Sequence, residues 1–152
     1  MERFRMELES LSKNEEFARV VVAVFLSRLD PTMEEIDDVK TAVSEAVTNA
    51  IIHGYAGERG TVRMHAYYTD EATLTVDIID RGCGIADIRR AMEPFFTTQP
   101  EKERSGMGFA VMQSFMDAIR VESEVNAGTT VYMEKQLRLQ EDAPREPEAA
   151  LN

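Results

Sequence analysis

Glu45 and Asn49 stand four residues apart in a helical stretch, so their side chains stack on one face: a carboxylate able to take a proton above an amide oxygen able to bind a cation. Taken alone, such a pair is more often a solvated surface pair. Asp80 says more. It ends a run in which Leu74, Val76 and Ile78 alternate with Thr75, Asp77 and Ile79, and parity puts it on the apolar side. A carboxylate aimed at a core needs a donor, and the amino group of a ligand would serve. The structural alternative is a strand-end Asp that turns to solvent or caps the Gly82-Cys83-Gly84 turn. Gly82 and Gly84 suit close approach of backbone to a flat ligand or a positive φ. Gly106 and Gly108 precede an apolar helical pattern beginning at Phe109, where free N–H groups and the helix dipole favour an anion. A plain helix-entry turn is the simpler account of that last pair.

The elements that must hold these residues follow from periodicity. From Glu15 to Leu29, Phe17, Val20, Val21, Val24 and Phe25 recur at helical steps, and Asp30-Pro31 ends the segment. Thr32 and Glu35 form a capping box for a second helix, whose stripe of Ile36, Val39, Val43, Val47, Ala50 and Ile51 runs to His53-Gly54. Beyond the turn at 56–60 the period becomes two. Val62, Met64 and Ala66 alternate with Arg63, His65 and Tyr67, and after Asp70-Glu71 the strand ending at Asp80 completes an antiparallel hairpin. A short helix is expected near Ile88 to Met92, followed by a long loop punctuated by Pro94, Pro100, Gly106 and Gly108. Phe109, Met112, Phe115, Met116 and Ile119 restore helical spacing. A closing hairpin then joins Val121–Val125 to Thr129–Leu137 through Asn126-Ala127-Gly128. The sheet has at least four strands, and no internal repeat is present.

Composition narrows the functions available. A chain of 152 residues, 43% hydrophobic, suits one domain, and no apolar run is long enough to span a membrane. Residues 1–138 are expected to form that domain and residues 139–152, rich in Glu, Pro and Ala, a disordered acidic tail. The mixed opening residues do not read as a signal peptide, so a soluble cytoplasmic protein without membrane partners is expected. Cys83 is the lone cysteine and His53 and His65 the only histidines, which argues against structural zinc. A net charge of −11 argues against nucleic acid as a partner. A small nucleotide carried with Mg²⁺ needs no basic surface, because the ion and backbone N–H groups supply the electrostatics.

Taken together and in order, these segments match a known pattern. Ser44-Glu45-Ala46-Val47-Thr48-Asn49-Ala50 resembles the N box of the GHKL ATPase/kinase family, and Asp80-Arg81-Gly82-Cys83-Gly84-Ile85 resembles its G1 box. Pro94-Phe95-Phe96-Thr97-Thr98 resembles the opening of the ATP lid, Arg104-Ser105-Gly106-Met107-Gly108-Phe109 the G2 box, and Gly128-Thr129-Thr130-Val131 the final hairpin motif. The similarity extends to Phe17-Ala18-Arg19-Val20, Leu29-Asp30-Pro31-Thr32-Met33 and 121–126, and is greatest to the anti-sigma serine kinases of spore-forming bacteria.

The resemblance implies an α+β two-layer sandwich, the Bergerat fold, in which a mixed, mainly antiparallel sheet is covered on one face by helices. It implies a serine/threonine-protein kinase that uses ATP and Mg²⁺, binds a sporulation sigma factor of the sigma F type, and phosphorylates an anti-anti-sigma protein on serine. Asp80 would accept the adenine amino group with help from Thr129, and Gly82 and Gly84 would let the backbone pass the base. Asn49 would ligate Mg²⁺. Thr97, Ser105, Gly106, Met107 and Gly108 would surround the phosphates, Arg104 would reach the γ-phosphate, and Glu45 would act as general base. It further implies a homodimer formed through the first strand and the N-terminal helix, with Arg19 facing a partner; a solvated helix charge is the alternative for Arg19. Gln99 stands where related lids often carry Lys. The competing readings are a stress-response anti-sigma kinase, a GHKL ATPase that only gates association, and a binding module with a structural nucleotide.

Overall fold

Period-two segments that bury every second residue, and helices that bury one stripe, have a simple joint solution: one sheet with helices on one side. The computed structural model describes residues 1–93 and 108–138. The lid, with Thr97, Arg104, Ser105, Gly106 and Met107, and the tail from 139 to 152 lie outside the described residues. In chain order the elements are β1 (Glu2–Glu9), α1 (Lys13–Ser27), α2 (Met33–Asn49) continued by a π turn (Ala50–Gly54), β2 (Thr61–Tyr68), β3 (Thr73–Asp80), α3 (Ile88–Ala91), α4 (Gly108–Phe115), β4 (Ala118–Glu124) and β5 (Gly128–Gln136). The strands lie in the order β1-β2-β3-β5-β4. All four pairings are antiparallel, so the expected mainly antiparallel sheet contains no parallel pair among the described residues. No helix there is long and apolar enough to cross a membrane.

The sheet meets the helices through Met64, Leu74, Val76, Ile78 and Met133, which pack against Val22, Leu26, Val39, Val43, Val47 and Met112. Thr32 caps α2 as expected: its hydroxyl accepts from Glu35 N–H at 3.2 Å, and the Glu35 carboxylate accepts from Thr32 N–H at 3.0 Å. The other Glu35 oxygen receives Arg138 N–H at 2.6 Å, which satisfies a buried carboxylate and ties the end of the last strand to α2. Lys135 Nζ donates to the Phe115 carbonyl at 2.8 Å and so closes α4.

Several sequence expectations change. The strand β1 was not anticipated, although Phe4, Met6 and Leu8 do alternate with Arg3, Arg5 and Glu7; it lies at the edge of the sheet, where charges protect an open ladder. Ile119 belongs to β4, not to the preceding helix, which stops at Phe115. On α1 the expected stripe is right only in Phe25 and the partly buried Val21. Ala18, Val22, Phe25 and Leu26 are buried, while Phe17, Val20 and Val24 are 52%, 50% and 64% exposed. The helix is apolar on two faces, and the core takes the one on which the small Ala18 is fully buried, as Ala42 and Ala46 are on α2.

The sheet face away from the helices is polar. Across it the register aligns Arg5, His65, Asp77, Tyr132 and Arg120 in one row, with Arg120 stacked 4.0 Å above the Tyr132 ring. In that row Asp77 Oδ1 is buried with no hydrogen-bond partner among the described residues. Burial pushes the Asp77 carboxyl up, and His65 and Arg120 pull it only partly back. A raised folded-state pKa means that this group favours the fold below its unfolded pKa and loses that benefit as pH rises through the folded value. Replacing Asp77 with Thr, which removes the charge and suits a strand, should therefore stabilise the protein by about 1 kcal/mol at neutral pH, with the gain shrinking below about pH 4. Urea unfolding at the two pH values checks this.

Candidate functional site

Asp80, the last residue of β3, pairs in register with Thr129 of β5 and is only 7% exposed, so parity did carry its side chain inward. Its Oδ1 accepts from Gly82 N–H at 2.9 Å. Burial pushes the carboxyl pKa up, while the backbone N–H groups of Gly82 and Thr129 draw it down. The turn-capping alternative is thus realised together with burial: one oxygen braces the turn, and the carboxylate stays on the inner side.

The π turn makes room for this carboxylate. Tyr55 N–H donates to the Ala50 carbonyl at 3.0 Å, one residue wider than an α-turn, which brings Gly54 beneath Asp80. A Cβ on Gly54 would lie 2.9 Å from both Cγ and Oδ1 of Asp80. A Cβ on Gly82 would meet the Gly54 carbonyl oxygen at 2.0 Å, and one on Gly84, where φ is +72°, would meet the Glu124 carbonyl oxygen at 2.1 Å. Both glycines therefore serve backbone-to-backbone approach, clasping the turn between the π turn and the β4–β5 hairpin. Cys83 completes the clasp: its N–H donates to Gly54 O and its carbonyl accepts from Asn126 N–H, each at 2.8 Å. Gly84→Ala should accordingly destabilise the fold by about 3 kcal/mol, read as a lower urea midpoint.

A cavity of about 470 Å³ opens over this platform, within the range of small-molecule sites. Ala46, Asn49 and Ala50 line it from α2 and the π turn, Ile78 and Asp80 from β3, Cys83, Gly84 and Ile85 from the turn, Gly108 and Phe109 from α4, and Thr129 and Val131 from β5. Of the expected site residues, Asn49, Asp80, Gly84, Gly108 and Thr129 meet here. Gly82 stands behind the wall. Glu45, one turn before Asn49, is half-buried and outside the lining. Arg19 lies away on α1, with Nη1 3.8 Å from Glu15, whose carboxylate also receives the Ser44 hydroxyl from α2.

The slot is largely apolar, with polar groups at two ends and His53, Asp87 and Arg90 also in its lining. At one end is Asp80, with the Thr129 hydroxyl 2.8 Å from that of Ser123. Ser123 also accepts from Ile85 N–H at 2.7 Å and so ties the turn to the hairpin. At the other end the Asn49 amide faces the start of α4: a Cβ on Gly108 would stand 3.1 Å from both its Nδ2 and Oδ1. Sequence reasoning missed Ser123, Gly54 and His53 as parts of the site. Alternation with Ile119 and Val121 does point Ser123 inward, whereas nothing local marks Gly54.

Such a slot suits a flat heteroaromatic ring whose exocyclic amine faces Asp80 and whose anionic substituent reaches Asn49 and the α4 start. No group of three His, Cys, Asp or Glu residues among the described ones is placed to hold a metal, so a cation here would rest on Asn49 and on the ligand's own oxygens. Cys83, its thiol 3.0 Å from the His53 carbonyl, lines the slot as a small side chain.

Known proteins resemble this chain in sequence and in fold. The family described as "Histidine kinase-like ATPase domain" matches residues 8–135. A protein of Clostridium acetobutylicum named "Anti-sigma F factor" is 59% identical over 140 residues, covering 91% of this chain and 97% of its own length. A protein of the same name from Geobacillus sp. (strain WCH70) is 52% identical over 130 residues, covering 86% of this chain and 89% of the relative. Among solved structures, the RsbU and RsbW domains of Rv1364c from Mycobacterium tuberculosis align with a TM-score of 0.66 at 19% identity, over 90% of this chain and 33% of that one. Full-length ShkA in complex with AMPPNP aligns with a TM-score of 0.55 at 20% identity, over 80% and 30%. Those structures establish the shared fold.

Proposed function

Because the chain belongs to the histidine kinase-like ATPase family and, within it, to the anti-sigma F factors, we propose that its cavity takes Mg-ATP and that it transfers the γ-phosphoryl group to a serine of an anti-anti-sigma protein. In the same reading its ATP-bound form holds a sigma factor of the sigma F type in the cytoplasm. The observation that carries the nucleotide assignment is Asp80, a buried carboxylate at the end of an apolar slot.

Asp80 accepts the adenine amino group, and Thr129, its hydroxyl paired with that of Ser123, lies beside it to hold the base edge directly or through water. Ile78 and Val131 floor the ring. Asn49 offers its amide oxygen to Mg²⁺, which supplies charge neutralisation across the phosphates. The N–H groups at the start of α4, with Ser105, Gly106, Met107 and Gly108, receive the phosphates, and Thr97 belongs to the same lid. Glu45 takes the proton of the incoming serine hydroxyl as its oxygen bonds to the γ-phosphorus and the bond to the leaving ADP oxygen breaks. Arg104 meets the charge that builds on the transferring group. The test is incubation with Mg²⁺, γ-labelled ATP and a candidate antagonist. Label on a partner serine is the expected result; free phosphate alone indicates an ATPase, and neither indicates a binding module.

Two features support a protein-binding role. Phe17, Val20 and Val24 form an exposed apolar face on α1, the helix that also carries Arg19, and β1 is a sheet edge. We assign the homodimer contact to this edge and helix, with Arg19 toward a partner. Light scattering should give twice the chain mass, and a monomer would refute the dimer.

A further inference from the structure

On the opposite side of the sheet from the nucleotide cavity, a smaller hollow of about 220 Å³ is lined by Tyr55, Gly60, Thr61, Arg63, Ile79 and Arg81. Asp80 and Arg81 are consecutive, yet they serve opposite faces: Asp80 lines the slot beneath the helices, and Arg81 lines the hollow outside. Arg63 pairs with Ile79 across the β2–β3 ladder, which makes Arg81, two residues further along, its diagonal neighbour. Long side chains reach each other at that spacing, and like charges so placed repel.

Compensation for the two cations is small. Glu7, at the margin, holds Arg63 Nε at 2.9 Å through a carboxylate that is 64% exposed, a pair worth little in water. Arg81 makes no ion pair with any described residue. The lining itself contains no carboxylate, in a chain whose net charge is −11. The wall is also rigid. The Tyr55 ring lies over Gly60, where an added Cβ would stand 2.1 Å from it, while its hydroxyl donates to the Thr61 carbonyl and accepts from Arg81 N–H at 2.9 Å. Two arginines at diagonal positions beside a fixed wall are the elements of an oxyanion site.

We propose that this hollow is a second anion site, separate from the nucleotide cavity, which takes a phosphate-class oxyanion between Arg63 and Arg81. The probe is inorganic phosphate, titrated into ¹⁵N-labelled protein at constant ionic strength with chloride as the balancing ion. Saturable shifts of the Tyr55, Gly60 and Arg81 amides are expected, weakened about tenfold or more by Arg81→Gln and likewise by Arg63→Gln. Phosphoserine as a second probe separates the sources: binding of both identifies a phosphorylated side chain, and binding of phosphate alone the free ion. Shifts that never saturate, that acetate reproduces, that survive both substitutions in a folded protein, or that are confined to Asn49 and Gly108 would overturn the proposal.

Discussion

Replacing Asp80 with alanine is expected to weaken adenine-nucleotide binding about a hundredfold, because a hydrogen bond to a charged group in a desolvated slot contributes about 1.5–3 kcal/mol and each 1.4 kcal/mol is a factor of ten. The protein should remain folded. The Asp80 carboxyl is pushed up by burial, so at neutral pH its ionised form costs the folded state; the group favours folding below its unfolded pKa, and that benefit is lost as pH rises through the folded value. Its removal lifts that cost but also takes the acceptor from Gly82 N–H, so circular dichroism is recorded alongside binding. The same shift gives a pH dependence: a donor from the base favours the ionised acceptor, so affinity should fall as pH drops through the raised pKa. Guanine nucleotides, which present a carbonyl where adenine presents its amine, should bind poorly to the native site. Asp80→Asn should narrow that preference, because its amide offers a donor.

Glu45→Ala is expected to lower the rate of serine phosphorylation by about 10²–10⁴ while leaving ATP affinity within about twofold. The separation follows from position: Glu45 is half-buried one turn before Asn49 and outside the cavity lining, so the proposed general base would act on the incoming hydroxyl without holding the nucleotide. Single-turnover transfer from labelled ATP, with affinity measured in parallel, checks both halves. Full transfer by Glu45→Ala would remove it from the general-base role, and an equal loss of affinity would make it a binding residue.

Much of this site was legible because its key residues obey strand and helix periods. Parity alone carried Asp80 inward, whereas helical spacing stacked Glu45 and Asn49 together and only Asn49 enters the slot lining. The capping box at Thr32 was equally local. What sequence patterns missed depends on packing at a distance. On α1 two apolar faces compete, and only contact with α2 decides that Val22 and Leu26 are buried while Val20 and Val24 face outward. The π turn has no local signal, since its widening matters through the fit of Gly54 beneath Asp80 and of Tyr55 around the end of the sheet. Gly82 and Gly84 suit close approach of backbone to a ligand or a positive φ, but their task here is to let three backbone segments touch. The edge strand β1 was overlooked because its charged residues masked a clear alternation.

Isothermal titration of Mg-ATP into the native protein and into Asp80→Ala tests the central claim most directly. Saturable uptake by the native chain, nearly lost in the variant while circular dichroism stays unchanged, is the predicted outcome. Absence of uptake by the native chain, or equal uptake by both, would contradict it.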